Sequence, residues 1–246
     1  MTQKEEQLKA LIEHSARITV LTGAGISTES GISDYRSQGG LWDRFQPVTL
    51  QEFIADETSR ELYWERKKFM YAQMREAKPS AAHHAFARLE ARGQLLGLIT
   101  QNIDGLHALA GNRKICEIHG TNREVVCLDC GVTGPFDPVY ARLLAGEKAP
   151  RCLACQGLLK PNTISFGQSL DPDSLRQALT WSRQCDLMIV AGSSLVVEPA
   201  ASLPRTAKEE GAAIVIINRE PTPLDKMADL VVHAVLGAVL DQAIPN

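Results

Sequence analysis

Five short runs of apolar, mostly β-branched residues recur along the chain. They are Ile18–Thr22, Leu95–Thr100, Asp186–Ala191, Ala213–Asn218 and Asp229–His233. The apolar residues of a run follow one another rather than alternating with polar ones, which is typical of strands buried on both faces of a parallel sheet. Helical patterns lie between several of the runs. The pattern therefore predicts an α/β fold, with a parallel sheet and helices on both of its faces.

The clearest helical pattern runs from Ser80, a good N-cap residue, to Arg92, and Gly93 is expected to end the helix. Its apolar stripe consists of Ala82, Ala85, Phe86 and Leu89. Weaker helical patterns cover Leu175–Arg183, Pro199–Glu210 and residues 2–14. Residues 47–78 are amphipathic, rich in aromatic and charged side chains, and do not fit the sheet, so they predict a separate helical module.

Four cysteines form two CxxC hooks, Cys127 with Cys130 and Cys152 with Cys155. Two hooks at this separation are a strong signature of a structural zinc site. Four thiolates complete a tetrahedral site and leave no open position for a catalytic water. Residues 127–157 contain three basic and three acidic side chains, and this balance argues against a zinc ribbon that binds nucleic acid.

These patterns divide the chain into two predicted domains. The large domain comprises residues 1–46, 79–126 and 158–246. The helical module (47–78) and the zinc module (127–157) form the small domain. The remaining cysteines, Cys116 and Cys185, are expected to pack as small apolar residues.

The overall composition and charge argue against nucleic acid and membranes as binding partners. The net charge is 26 − 29 = −3 over 246 residues, so duplex nucleic acid is not expected as the main ligand. No apolar run reaches the roughly 20 residues that span a bilayer, and no membrane partner is expected. The segment Met1–Glu6 lacks the basic and apolar regions of a signal peptide. With the cysteine hooks, this favours a cytoplasmic, reducing location.

Polar or glycine-rich clusters come directly after four of the predicted strands. They are Gly23–Ser27, Gln101–Asp104, Gly192–Ser194 and Asn218–Glu220. Ligands of open parallel sheets bind at the carboxyl ends of the strands, so we expect one continuous crevice. Glycines in the first cluster would let a phosphate approach backbone N–H groups. Alone this signal is weak, because Thr28 stands where the GxGxxG pattern has its third glycine, and a tight turn explains it as well.

Six motifs occur in a fixed order along the chain. They are Gly23–Ser27, Ser30–Arg36, Thr100–Asp104, His119-Gly120, the four cysteines and Gly192–Ser194. This set closely resembles the sirtuin family of NAD-dependent protein lysine deacylases, over nearly the whole chain. The resemblance implies a Rossmann-like NAD-binding domain, NAD as co-substrate, one structural zinc ion and acylated-lysine proteins or peptides as substrates. The implied products are nicotinamide, 2′-O-acyl-ADP-ribose and free lysine.

The resemblance also implies roles for three polar side chains. His119 is expected to be the general base that accepts a proton from the ribose hydroxyls, a task that suits imidazole near neutral pH. Asn102 is expected to orient water and ribose, and Asp104 to hold the carboxamide of nicotinamide. From the residues alone, His119 could instead support the zinc module, and Asn102 and Asp104 could cap a loop.

Further cofactor contacts are implied along the same crevice. They are Gly23, Ala24, Gly25, Ser27, Thr28, Asp34, Tyr35, Arg36, Gln101, Ile103, Gly192, Ser193, Ser194, Asn218, Arg219, Glu220 and Val235. Ser33 stands where the family most commonly has Pro, so the loop should be looser, and Tyr35 replaces the common Phe but keeps an aromatic ring. A surface ion pair for Arg36 and a helix N-cap at Ser193-Ser194 stay open as alternatives.

Two segments resemble those between which a substrate peptide lies as an added strand. They contribute Ile164, Phe166, Gly167, Val196 and Val197. Gln168 replaces the Glu common after Phe-Gly in the family and removes a negative charge near the peptide.

Tyr63 and Arg66 share one face of a helix and resemble a pair that binds negatively charged acyl groups in some sirtuins. A packed Tyr63 with a solvated Arg66 is the equal alternative. Protein ADP-ribosyl transfer and an NAD-sensing binding module remain competing functions.

Overall fold

The computed structural model describes residues 2–34 and 46–245 of the chain. Within these residues, six parallel strands form one sheet: β1 (Ile18–Thr22), β2 (Leu95–Thr100), β3 (Ile115–Glu117), β7 (Leu187–Ala191), β8 (Ala213–Ile217) and β9 (Leu230–Val232). Their order across the sheet is β3-β2-β1-β7-β8-β9. The five strands predicted from the apolar runs are confirmed. Strand β3, a short strand at the sheet edge, was not predicted.

Each central strand serves two cores because successive side chains point to opposite faces of the sheet. In β1, Val20 belongs to one core and Leu21 to the other. The first core joins the sheet to the helices Gln3–Glu13, Ala81–Ala91 and Leu236–Ala243. The second joins it to Pro172–Gln184 and Leu203–Glu209, and it also buries Cys116 and Cys185. The doubly covered α/β sheet is therefore confirmed.

The predicted helices are also found, with small changes at their ends. The helix predicted from Ser80 spans Ala81–Ala91, and Gly93 lies just beyond it with a φ of 77°. The pattern at 199–210 begins with a 3₁₀ turn at Ala200–Ser202. Further short elements are the helix Leu106–Ala110 and the 3₁₀ turns Ala24–Ser30 and Asp225–Met227. Among the described residues, no helix is both long and apolar enough to cross a membrane.

A second, antiparallel sheet packs with the helices of the small domain. Its strands are β4 (Gly120–Cys127), β5 (Thr133–Pro135) and β6 (Leu159–Thr163), in the order β5-β4-β6. The helices of the small domain are Leu50–Ala55, Glu57–Glu76 and Phe136–Leu144. One aromatic core unites them, in which Tyr71 stacks on Phe136 with ring centroids 4.1 Å apart. The helical module and the cysteine hooks therefore form one unit. The domain boundaries stay a prediction, which assigns residues 120–126 of β4 and all of β6 to the large domain although both strands pack with the helices of the small one.

Candidate active site

A cavity of about 730 Å³ opens where the strands of the parallel sheet end. The clusters after β1, β2, β7 and β8 all line it, and the small domain supplies another part of the wall. The single crevice expected from the strand ends is therefore present. The predicted site residues on its wall are Gly23, Ala24, Gly25, Thr28, Asp34, Tyr63, Arg66, Gln101, Asn102, Ile103, His119, Ile164, Phe166, Gly167, Gly192, Ser193, Ser194, Val197, Asn218, Arg219, Glu220 and Val235.

The other predicted site residues lie elsewhere. Ser27 and Asp104 are buried behind the wall, with exposed fractions of 1% and 4%. Val196 is half exposed and does not line the cavity. Tyr35 and Arg36 lie outside the described residues.

The glycine cluster after β1 packs directly on the loop after β7. The N–H of Gly23 donates to the carbonyl of Ala191 at 3.2 Å, and that of Gly25 donates to Gly192 at 2.9 Å. A Cβ at Gly23 or Gly25 would lie 2.8 Å from backbone atoms of Gly192. Both glycines thus permit close contact between two backbones, and their N–H groups are used within the protein. The chain continues from this cluster into a 3₁₀ turn rather than an α-helix.

His119 is held by the backbone of the loop after β2. Its Nδ1 lies 3.0 Å from the carbonyl oxygen of Gln101. Because a carbonyl can only accept, Nδ1 carries the hydrogen and Nε2 of the neutral ring carries the lone pair. Among the described residues, His119 is the histidine that lines the cavity. The geometry therefore provides a proton acceptor on the cavity wall.

Ser27 links the two polar side chains of the loop after β2. Its Oγ donates to Asp104 Oδ2 at 2.7 Å and accepts from Asn102 Nδ2 at 3.0 Å. The other oxygen of Asp104 accepts from the N–H of Leu106 at 2.9 Å. Burial raises the pKa of Asp104, while the hydrogen bonds from Leu106 and Ser27 oppose the rise. Asn102 is thus fixed from behind while it lines the cavity.

Gln101 and Ser193 connect the loops after β2 and β7. Gln101 Nε2 donates to Ser193 Oγ at 2.8 Å, and the same hydroxyl accepts from the N–H of Leu195 at 3.3 Å. The backbone N–H of Gln101 donates to Thr22 at the end of β1. These bonds hold three strand ends in one arrangement around the cavity.

Two further histidines are buried close to these strand ends, with ring centroids 4.7 Å apart. His107 Nε2 lies 3.0 Å from Thr22 Oγ1, and His83 Nδ1 lies 2.8 Å from Ser80 Oγ. Burial lowers the pKa of His83 to about 4 and also lowers that of His107. Both rings are therefore uncharged at neutral pH and serve packing and hydrogen bonding.

The small-domain wall carries Tyr63, Arg66 and Lys67 from one helix. Tyr63 is 7% exposed and packs edge-on against Phe53, with ring centroids 4.9 Å apart. Arg66 donates to the carbonyl of Gln46. Lys67 Nζ lies 5.4 Å from the centre of the Tyr63 ring, and burial lowers its pKa to about 8. Tyr63 is therefore packed, as the alternative expects, yet both predicted residues face the cavity.

The segment after β6 lies directly beside His119. The N–H of Ile164 donates to the carbonyl of His119 at 2.9 Å. The carbonyl of Phe166 accepts from the N–H of Leu50, and the Phe166 ring is half exposed. Gly167 has a φ of 79°, which favours glycine at this turn. The segment thus presents an exposed aromatic ring at the mouth of the cavity.

The far end of the cavity is formed by the loops after β8 and β9. Asn218 Nδ2 donates to the carbonyl of Glu220 at 2.7 Å, which fixes the Asn218–Glu220 turn. Val235 is 47% exposed and precedes the helix Leu236–Ala243. Glu29, also on the wall, accepts from the N–H of Gly237 at 2.8 Å in the first turn of that helix.

The four cysteines of the hooks come together in the small domain. All four Sγ atoms lie within 4.8 Å of one another. Cys127 and Cys155 are separated by 3.5 Å between sulfurs, and Cys130 and Cys152 by 3.8 Å. Tetrahedral coordination with metal–sulfur bonds of about 2.3 Å places sulfurs about 3.8 Å apart. The donor set and spacing therefore fit a single tetrahedral metal ion.

Comparison with known proteins decides the family. A profile described as the Sir2 family matches residues 23–199. The chain belongs to the Sir2 family. One relative, the NAD-dependent protein deacetylase of Thermodesulfovibrio yellowstonii, is 44% identical over 97% of this chain and 93% of its own length.

Solved Sir2 structures share the fold of this Sir2-family chain. One, with deacetylated p53 peptide and 3′-O-acetyl ADP-ribose, superposes with a TM-score of 0.91 at 36% identity, covering 98% of this chain and 97% of the other. Another, a Sir2 complex with p53 peptide and NAD⁺, has a TM-score of 0.88 at 37% identity over the same shares.

Several wall residues of this Sir2-family chain were not predicted from the sequence. They include Glu29, Lys67, Met70, Thr163 and Leu170. Lys67 could have been found, because it lies four residues after Tyr63 and so shares its helix face. Thr163 ends strand β6, which no apolar run predicts.

Proposed function

We propose that this chain removes acyl groups from lysine side chains of proteins in an NAD-dependent reaction. The products are nicotinamide, 2′-O-acyl-ADP-ribose and free lysine. One observation carries the proposal: His119 and Asn102 line the same cavity as the loops after β1, β7 and β8. The names of the relatives and the ligands in the Sir2 structures support it.

His119 is the general base of the proposed reaction. The Gln101 carbonyl holds Nδ1, so Nε2 is the atom that takes up a proton from a ribose hydroxyl. In the proposed sequence the acyl oxygen first displaces nicotinamide from the ribose, and the loss of the proton to His119 then lets the ribose 2′-oxygen attack the acyl carbon. Water completes the reaction and releases free lysine and 2′-O-acyl-ADP-ribose. The backbone bond also fixes the ring plane, so the proton acceptor keeps its direction.

Asn102 and Asp104 act as a pair in the proposed site. Asn102 orients ribose and water with its amide, whose position Ser27 fixes. Asp104 is buried, and its oxygens are held by Ser27 and Leu106. Its contact with the nicotinamide carboxamide stays a prediction.

NAD would lie along the cavity from the nicotinamide end at Asn102 and Ile103 to the adenosine end at Asn218 and Val235. In the middle of this path, Gly23 and Gly25 let the loop after β1 pack directly on Gly192 of the loop after β7. Ser193 and Ser194, also on the wall, would offer hydroxyls to the diphosphate.

The substrate is an acylated lysine in a peptide that lies along Ile164–Gly167 and Val196-Val197. Main-chain pairing in such a groove selects few peptide side chains. Tyr63, Arg66 and Lys67 would surround the far end of the acyl chain. Two of these side chains are basic, so acyl groups that end in a carboxylate are favoured over acetyl.

The four hook cysteines would hold one structural zinc ion. A set of four thiolates at these distances is the donor set of structural zinc sites and leaves no position for catalysis. The ion would fix β4 and the loop before β6 relative to each other. A cytoplasmic location stays a prediction, based on the need to keep these thiols reduced.

The test is an acyl-peptide panel with acetyl, succinyl and long-chain acyl lysines, assayed with NAD by mass spectrometry. We expect 2′-O-acyl-ADP-ribose from at least one peptide, and its loss in His119→Ala. The matched control is His84→Ala, since His84 is exposed on the Ala81–Ala91 helix. ADP-ribose linked to protein without any acyl product would refute the deacylase proposal and favour ADP-ribosyl transfer.

A further inference from the structure

Arg123 contacts the loop that carries Asn102 and Asp104, although it belongs to strand β4. Its Nε donates to the carbonyl oxygen of Asp104 at 2.9 Å, and its Nη2 donates to that of Met74 at 3.4 Å. Met74 lies in the last turn of the helix Glu57–Glu76, where carbonyls have no partner within the helix. One guanidinium group therefore joins the helical module to the loop after β2.

The preceding residue makes a second link to the same loop. The backbone N–H of Asn122 donates to the carbonyl of Ile103 at 2.8 Å. Its side chain is 1% exposed and donates to Met74 Sδ at 3.4 Å. Successive residues of β4 thus hold successive carbonyls of the loop. The main chain of Asn122 holds the carbonyl of Ile103. Among the contacts of the described residues, only the side chain of Arg123 holds the carbonyl of Asp104.

Gly105 shows how closely Arg123 lies against the loop. Gly105 has a φ of 71°, and a Cβ there would lie 3.0 Å from Nε of Arg123. The next N–H, that of Leu106, donates to Asp104 Oδ1. The backbone turn that Arg123 covers is therefore the turn that also fixes the carboxylate of Asp104.

Arg123 does not line the cavity, so any effect on NAD must pass through the loop. Its positive charge also opposes the rise in the pKa of Asp104 and of the neighbouring Glu117. The charge and the hydrogen bonds thus act on the same stretch of chain.

We propose that Arg123 is a positioning residue that holds the Asn102–Asp104 loop in the shape that binds the nicotinamide end of NAD. The inference rests on the proposed use of this loop for NAD. It gives the helical module an indirect part in the site, because Arg123 also contacts Met74 of that module. Arg123 contacts Asp104 and Met74, whereas Ile164–Gly167 of the proposed peptide groove lines the cavity, which Arg123 does not.

The experiment compares Arg123→Ala and Arg123→Lys with Arg75→Ala. Arg75 is the residue after Met74 at the same helix end, is about half exposed and pairs with Asp137 at 3.5 Å. Arg75→Ala removes the same charge as Arg123→Ala, but from a side chain that pairs with Asp137 and not with the loop. For Arg123→Ala we expect a KM for NAD and a half-inhibitory nicotinamide concentration each raised about tenfold, which corresponds to about 1.4 kcal/mol. The KM for the acyl peptide should change less than twofold.

Arg123→Lys keeps the charge and one donor, so it should recover part of the NAD affinity, and Arg75→Ala should resemble the wild type. Calorimetric titration with NAD alone measures the site without relying on turnover. Unchanged NAD affinity in Arg123→Ala would overturn the proposal, as would equal increases in KM for NAD and peptide.

Folding and function can be separated in the same set. If Arg123→Ala does not fold, Arg123→Lys decides: a loss of NAD affinity of threefold or more at an unchanged Tm supports the role, and unchanged affinity overturns it. If the wild type binds NAD but transfers no acyl group, the proposed reaction fails, while the NAD titrations still decide the role of Arg123.

Discussion

Ser27→Ala is the sharpest test of the hydrogen-bond network behind the cavity. The substitution removes one hydroxyl, which donates to Asp104 and accepts from Asn102. All three side chains are at least 94% buried, with exposed fractions of 1%, 4% and 6%. The variant therefore leaves a buried carboxylate and a buried amide each short of one partner.

The expected loss of stability follows from the two hydrogen bonds that the Ser27 hydroxyl makes. A hydrogen bond to a charged group contributes about 1.5–3 kcal/mol and a neutral one about 0.5–1.5 kcal/mol. Water from the adjoining cavity can replace part of what is lost, since Asn102 lines that cavity. We therefore expect a loss of about 2 kcal/mol in the free energy of unfolding. The released Asn102 amide should raise the KM for NAD about tenfold.

The assay combines urea unfolding with steady-state kinetics at varied NAD. Ser30→Ala is the matched control, because Ser30 lies in the same 3₁₀ turn and its buried Oγ has no hydrogen-bond partner among the described residues. It should lie within about 0.5 kcal/mol of the wild type. A Ser27→Ala protein as stable as Ser30→Ala, with an unchanged KM for NAD, would refute the network as described.

Three other predictions test the base, the metal site and a buried acid. His119→Ala should lower turnover at least about 100-fold with less than a threefold change in NAD affinity by calorimetry, and equal losses would make His119 structural. Cys127→Ser should lose the metal by elemental analysis and unfold the small domain by circular dichroism, and a fully active variant would contradict the zinc proposal. Burial, with the nearby Asp104 and Glu124 carboxylates, raises the pKa of Glu117 from 4.5 to about 7. Because the folded protein holds this proton more tightly than the unfolded chain, its free energy of unfolding should fall by about 3 kcal/mol relative to that of Glu117→Gln as the pH rises through this range. Parallel stability curves for these two proteins between pH 4.5 and 8 would count against that pKa.

The large domain could be predicted well because most of its strands are visible in the local sequence as runs of apolar residues. The runs that form β1, β2, β7 and β8 are packed on both faces, so the sequence shows continuous apolarity there rather than a weak alternation. Strand β3 was missed because it has three residues at the sheet edge, with only Cys116 fully inside. Its place depends on pairing with β2, which a local pattern does not record.

The small domain was harder to predict because its strands are polar at their ends. Strand β4 begins Gly120-Thr121-Asn122, and β6 contains Lys160, which is 1% exposed. Lys160 is buried because its Nζ donates to the carbonyls of Pro161 and Thr163. Such bonds form only in the folded chain. The cysteine spacing indicated the metal site, but not the course of the strands that carry it.

Some features of the candidate site could likewise be predicted from the sequence, and others could not. The glycine and polar clusters could be placed together because parallel strands end at one edge. The packing of Gly23 on Gly192 and the contact of Arg123 with Asp104 could not, since each depends on tertiary contacts that no local pattern records. Local sequence determines which side chains are available there, and the folded chain determines which of them touch.

The position of β1 between β2 and β7 has a consequence for synthesis on the ribosome. Val20 in β1 lies beside Ile189 in β7, and Gly25 donates to Gly192. A nascent chain that has not yet reached β7 therefore lacks one wall of the cavity and one flank of its first strand. Contacts over such long separations form slowly and leave apolar edges exposed meanwhile. The growing chain should need protection from aggregation until β7 has emerged, and it should bind NAD only after that point.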